Sequence, residues 1–191
     1  MHGCGDRMKR ILALLALWVA PVAADPLELI DYEALFAENP DQVTTASDNR
    51  KVLQMGDIVL LRDQADGISY TGIDQSGQGA VGCFVSVLAS LESALQACEV
   101  TLSPEQKAIS DAYRAEALAF YAENAFPRVE LAEVARRYDA LVASEIEMSR
   151  PFCSDLSVVT DFSDRLFVDE TRAEVEGMMS IPRLPVANPC L

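Results

Sequence analysis

The chain has 191 residues, with 15 Lys and Arg against 30 Asp and Glu, a formal net charge of −15 and a single His. Such a field repels phosphate backbones and anionic headgroups, which argues against nucleic-acid and membrane-surface partners. The length suits one domain with a substantial core, and no apolar run reaches the roughly 18 residues that a transmembrane helix needs, so no membrane insertion is expected.

At the N-terminus, Met8-Lys9-Arg10 is a basic n-region, Ile11 to Ala20 an apolar h-region, and Val22-Ala23-Ala24 a small-residue cleavage site before Asp25. Residues 1–24 are therefore expected to be a cleaved signal peptide. Residues 25–191 would then form a single helical domain in the periplasm or the medium. Cleavage removes His2, Trp18 and Cys4, the only His, the only Trp and one of five Cys. Cys4 precedes the apolar run, on the wrong side for lipid attachment. A mature chain without imidazole lacks the group on which most acid–base and metal chemistry depends.

From Asp25 to Asn39, Leu27, Ile30, Leu35 and Phe36 recur near a helical period, and Asn39-Pro40-Asp41 ends the segment. The stretch from Gln42 to Asn49 is polar and loop-like. Val52 to Leu61 is a dense apolar run broken by Gly56-Asp57, and here two readings compete. A helix through Leu53 to Arg62 followed by irregular structure is slightly favoured; the other is a small β-hairpin near residues 57–73, pairing Ile58-to-Leu61 with Ile68-to-Ile73 across Asp66-Gly67.

A glycine-rich stretch from Gly72 to Gly82 leads into a helix over Phe84 to Ala97, with Phe84, Val87, Leu88, Leu91, Ala94 and Leu95 as its apolar stripe. Ser103-Pro104-Glu105-Gln106 offers an N-cap, a first-turn proline and a capping-box Gln for the next helix, whose inner face is Ile109, Ala112, Tyr113, Ala117, Phe120 and Tyr121. Asn124 and Pro127 break it. Leu131, Val134, Ala135, Tyr138, Leu141, Val142 and Ile146 then repeat up to about Met148, giving an antiparallel helical hairpin that Pro151 closes. Ser154 to Phe167 is mixed in character, Thr171-Arg172-Ala173-Glu174 resembles a capping box for a short helix to Met179, and Pro182, Pro185 and Pro189 predict an extended tail over 181–191. The fold expected is mainly α, an irregular bundle of four to six helices.

Four cysteines in an exported chain predict two disulfides. Cys83 and Cys98 flank the Phe84-to-Ala97 helix, which at ~1.5 Å per residue separates them by roughly 22 Å, against a bridging limit of ~7 Å. In an up-down arrangement Cys98 and Cys153 share one pole, so the expected pairs are Cys98 with Cys153 and Cys83 with Cys190. No C-x-x-C is present, and structural staples fit better than thiol redox chemistry.

Several motifs invite a catalytic or ligand reading. Gly77-Gln78-Gly79-Ala80-Val81-Gly82 matches G-x-G-x-x-G before a helix, but a dinucleotide site needs a βαβ unit, and the element after this helix is another capped helix. A flexible lead-in loop is the plainer reading. Carboxylate pairs such as Asp161 with Asp164, Glu145 with Glu147, or Glu28 with Asp31 could run hydrolysis without His. Asp63-Gln64-Ala65-Asp66-Gly67 holds only the opening of a calcium loop. Gly67-Ile68-Ser69-Tyr70-Thr71-Gly72 is one residue too long for G-x-S-x-G. Met178-Met179, with Met148 and Met55, have the softness for Cu(I), although methionines at helical spacing usually fill cores. No cofactor and no metal site are expected. The functional expectation is a binding or accessory module, with another exported protein as partner and no turnover; the alternative is a carboxylate-based hydrolase of a cell-envelope substrate.

Overall fold

The computed structural model describes residue 27 and residues 29–190. The expected signal peptide at 1–24 lies outside these. The protein is mainly helical, with a small antiparallel sheet and two disulfides.

The leading amphipathic segment forms a helix only over Tyr32–Glu38 (α1), capped by Asp31, whose carboxylate accepts from the Ala34 amide at 2.9 Å. Upstream, Leu27 and Leu29 are buried, and Ile30 forms a bridge with Phe126 instead of continuing a helix back to Asp25. Four strands follow: β1 (Val43–Thr45), β2 (Lys51–Met55), β3 (Ile58–Asp63) and β4 (Ser69–Asp74), paired in chain order as an antiparallel meander. The helix favoured for Leu53 to Arg62 is thus corrected. Met55 pairs with Ile58, leaving Gly56-Asp57 as a two-residue turn with Gly56 at φ 59, where a helix would have to break. The hairpin alternative corresponds to β3 and β4, with Ile58 opposite Asp74 and Asp63 opposite Ser69, as part of this larger sheet.

The helices are α2 (Val81–Ala97), α3 (Pro104–Asn124), α4 (Leu131–Ser149), α5 (Leu156–Leu166) and α6 (Asp169–Met178), with a 3-10 turn at Arg150–Ser154 between α4 and α5. Ser103 and Gln106 form the reciprocal capping box of α3. Thr171 is not a helix cap: α6 begins at Asp169, and the Thr171 hydroxyl donates back to the Leu166 carbonyl at 2.7 Å while lying 2.8 Å from the Tyr113 hydroxyl. Leu131, expected on the inner face, sits at the first residue of α4 and is exposed.

Two apolar clusters hold the molecule. The larger joins all five of these helices through residues that include Val85, Tyr113, Tyr138, Val159 and Val175, and α2 packs chiefly on α4. Buried Ser93 ties that pair, its hydroxyl 2.9 Å from the Ala89 carbonyl and 2.8 Å from the Val142 carbonyl. The smaller cluster packs α1 on the sheet through Leu35, Phe36, Leu53, Ile58 and Leu60, and it includes Val186 from the C-terminal segment. Cys98–Cys153 fastens the end of α2 to the 3-10 turn, and Cys83–Cys190 fastens the start of α2 to the tail. Each bridge spans 5.1 Å between Cα atoms, the usual separation.

Candidate functional site

The glycines of Gly77 to Gly82 join β4 to α2, and the chain's own tail occupies the place where a dinucleotide motif would hold phosphate. The Gly82 amide donates to the Val186 carbonyl at 3.0 Å, and a Cβ at Gly82 would stand 2.6 Å from the Pro185 carbonyl oxygen. Glycine is required there by backbone approach. The preceding strand, β4, belongs to an antiparallel meander, so the βαβ context is missing as well.

The Pro-rich tail runs as an extended strap across β4 and the start of α2, with Arg183, Pro185 and Val186 buried. Asn188 forms a parallel bridge with Ile73, and its carbonyl accepts from the Asp74 amide at 2.7 Å. Arg183 locks the strap. Its Nε donates to Asp74 at 2.6 Å, Nη1 to the carbonyls of Met178 and Ile181, and Nη2 to that of Gly79 at 2.7 Å. The two side chains are only 4% and 2% exposed. Burial alone would push the Asp74 carboxyl up, but hydrogen bonds from Ser76 and Arg183, with the guanidinium charge, leave it below its ordinary value. An ion pair this closed is structural: its donors and acceptor are already spent on one another.

The candidate carboxylates are dispersed. Asp31 caps α1, Glu145 accepts from the Ser90 hydroxyl at 2.8 Å, Glu147 pairs with Arg150 at 2.9 Å, and Asp164 accepts from Gln106 at 2.7 Å. Asp161 is exposed on α5, and Glu28 lies outside the described residues. The Asp48, Asp74 and Glu133 carboxyls lie below their ordinary values, the direction opposite to a general acid's. Asp63 and Asp66 lie at the β3–β4 turn, where the Asp63 carboxylate accepts from the Ala65 amide at 2.9 Å. The methionines divide, Met55 packing on the sheet cluster and Met178 and Met179 on the helical one, while Met148 is exposed. No group of three or more His, Cys, Asp or Glu suited to a metal occurs among the described residues.

A polar cluster sits between α2, α3 and α4. Arg114 pairs with Glu92 and Asp139 and lies 4.8 Å from the centre of the Tyr138 ring, and the Tyr138 hydroxyl donates to Glu92 at 3.0 Å. Burial, and then the Glu92 charge, push the Tyr138 phenol upward, so it stays protonated as a donor. A hollow of about 470 Å³ lies beside it, bordered by Lys107, Asp111 and Arg114. Lys107 holds Asp111 at 2.7 Å, so these charges also close on each other.

A different surface is left unsatisfied. Between α2 and α5 runs an open groove of about 490 Å³, walled by Val87, Leu91 and Ala94 on one side and by Phe152, Val158 and Phe162 on the other. Phe152, Val158 and Phe162 are 54%, 54% and 45% exposed. An adjoining hollow of about 350 Å³ shares Ser90, Ala94 and Phe152 with the groove, is lined by the exposed Met148 and reaches Glu145. Exposed apolar side chains gathered around one concavity are what a docking surface offers. The turn residue Phe152 is held in place by its neighbour Cys153, bonded to Cys98. Sequence patterning missed this site, although a signal was present: α5 carries apolar residues on both faces, Val159 and Leu166 inward and Val158 and Phe162 outward. Comparison with protein-family models, with curated proteins and with solved structures finds no match. Among the described residues no helix is long and apolar enough to cross a membrane.

Proposed function

We propose that this chain is an exported binding or accessory module, an irregular helical bundle that presents the α2–α5 groove to another exported protein and performs no turnover of its own. The observation that carries this reading is the groove itself: two phenylalanines and a valine about half exposed along one wall, over an apolar α2 floor. Full burial of a large apolar side chain is worth ~1.5–3 kcal/mol, so covering each of these half-exposed three would contribute about half of that before the costs of association. Export is supported by the signal-like N-terminus and by two disulfides, which persist in oxidising compartments such as the periplasm. Both bridges also serve the groove: Cys98–Cys153 holds the Phe152 turn against α2, and Cys190 itself lines the groove wall.

A photo-reactive side chain placed at Phe162 in cells that export the protein tests this. Capture of one discrete exported partner is expected, with none from the same group at Asp66 on the far β3–β4 turn. Equal capture from both positions, or none from Phe162, counts against the reading.

A further inference from the structure

The charge around the groove points to the chemistry of what docks there. We propose that the occupant is an amphipathic helical segment of another exported chain, apolar along one face and flanked by Lys and Arg; this rests on the binding-module reading above.

The shape argument comes from spacing. Val87, Leu91 and Ala94 stand at i, i+4 and i+7 along α2, an apolar wall of ~10 Å at ~1.5 Å per residue. Val158 and Phe162 face them at i and i+4 on α5. Ridges at these intervals accept a third helix whose own side chains repeat every three to four residues, the helix-in-groove mode of recognition. Two turns of helix cover such a wall.

The charge argument selects the flanks. α2 carries one acidic residue, Glu92, and no Lys or Arg. The segment from Glu145 to Arg165 carries Glu145, Glu147, Asp155, Asp161 and Asp164 against Arg150 and Arg165. Glu147 and Arg150 cancel at 2.9 Å, Asp155 caps α5 and Asp164 accepts from Gln106, which leaves Glu145, lining the adjoining hollow, and Asp161, next to Phe162, against Arg165. The groove is largely apolar, among the described residues no Lys or Arg lines it or the adjoining hollow, Glu145 lines that hollow, and the chain as a whole carries a net charge of −15. A second copy of this chain would bring together two molecules of the same strong negative charge and is disfavoured by like-charge repulsion. Basic flanks on an apolar helix meet both features at once, giving attraction at the rim and burial at the floor.

Three synthetic helices sharing one leucine stripe, with Lys, Gln or Glu at the remaining positions, separate these terms. Each is titrated by fluorescence anisotropy into the oxidised protein, into Phe152→Ser/Phe162→Ser, and into Glu145→Gln/Asp161→Asn. Both phenylalanines are about half exposed, so the first variant is expected to fold, checked by circular dichroism. The Lys helix should bind at least ~10-fold more tightly than the Gln helix, with the Glu helix weakest. It should lose ~10-fold or more in the phenylalanine variant and ~3- to 10-fold in the rim variant, where the Gln helix is unchanged. Equal binding of the Lys and Gln helices, both lost in the phenylalanine variant, overturns the basic occupant and leaves the docking groove standing. Lys-helix binding that ignores the phenylalanine variant overturns both, since it shows general adhesion to an acidic surface. Failure of all three helices overturns both as well, and a fluorescent fatty acid that binds the groove in their place reassigns it to acyl chains.

Discussion

Arg183→Ala should be among the most damaging single substitutions in the C-terminal segment. In the folded chain Arg183 neutralises Asp74 at 2.6 Å with both side chains under 5% exposed, and it donates to the carbonyls of Gly79, Met178 and Ile181. Truncation leaves a carboxylate in a site almost closed to water, held by Ser76, whose amide donates to it at 2.8 Å. Breaking one side of a buried pair costs about 3–5 kcal/mol. For a domain of this size that corresponds to a melting-temperature drop of roughly 6–20 °C. Asp74→Asn should cost less, because the stranded Arg183 cation keeps the carbonyls of Gly79, Met178 and Ile181 as acceptors and the Asn oxygen can replace one carboxylate oxygen. The pair also fixes the sign of an acid effect. The Asp74 carboxyl lies below its ordinary 3.8 in the folded state, so its stabilisation is full above that unfolded value and is lost as pH falls through the folded one. Asp74→Asn should flatten this acid limb below about pH 4. Urea unfolding of both variants, with the parent, across pH 2–7 measures these effects. A loss under ~1 kcal/mol for Arg183→Ala at neutral pH would refute the strap as a closed structural lock.

Removing Cys98–Cys153 by Cys98→Ser/Cys153→Ser opens a loop of 55 residues, and chain entropy sets the loss at about 4 kcal/mol, read by denaturant midpoint. Gly82→Ala puts a methyl 2.6 Å from the Pro185 carbonyl; overpacking of about 1–3 kcal/mol should outweigh the helix-propensity gain, with hydrogen exchange at Val186 and Asn188 rising. Phe162→Ser removes an exposed side chain, so its melting temperature should stay within a few degrees of the parent while groove binding is lost. A drop above ~3 kcal/mol there would mean that Phe162 is core.

The long helices were legible because their inward residues repeat at the helical period: Leu88, Leu91 and Leu95 on α2, Tyr113, Ala117 and Phe120 on α3, Val134, Tyr138 and Leu141 on α4 are all buried. Local chemistry was legible too, as in the Ser103–Gln106 capping box. The sheet was harder because Ile58, Val59 and Leu60 are consecutive and all buried, so β3 lacks the alternation that separates strands from helices. Gly56-Asp57 was the better clue, since a two-residue turn with glycine first is a hairpin device. The strap lock joins residues 109 apart, and nothing in the local sequence couples Asp74 to Arg183. The groove was hidden for a related reason: Val158 and Phe162 in the mixed 154–168 segment differ from core residues only in which neighbours the fold withholds from them. Glu145 carried no mark either, since its distinction is its place beside Ser90, 55 residues away.

Amide hydrogen exchange during titration with the Lys-faced helix tests the docking groove most directly. Protection is predicted to rise over Ser86 to Ala94 on α2 and from Phe152 to Phe162, across the 3-10 turn and the first half of α5, with the sheet unchanged. Protection centred on Glu92, Asp139 and the polar hollow, or spread evenly over the acidic surface, would contradict the assignment of the α2–α5 groove as the binding site.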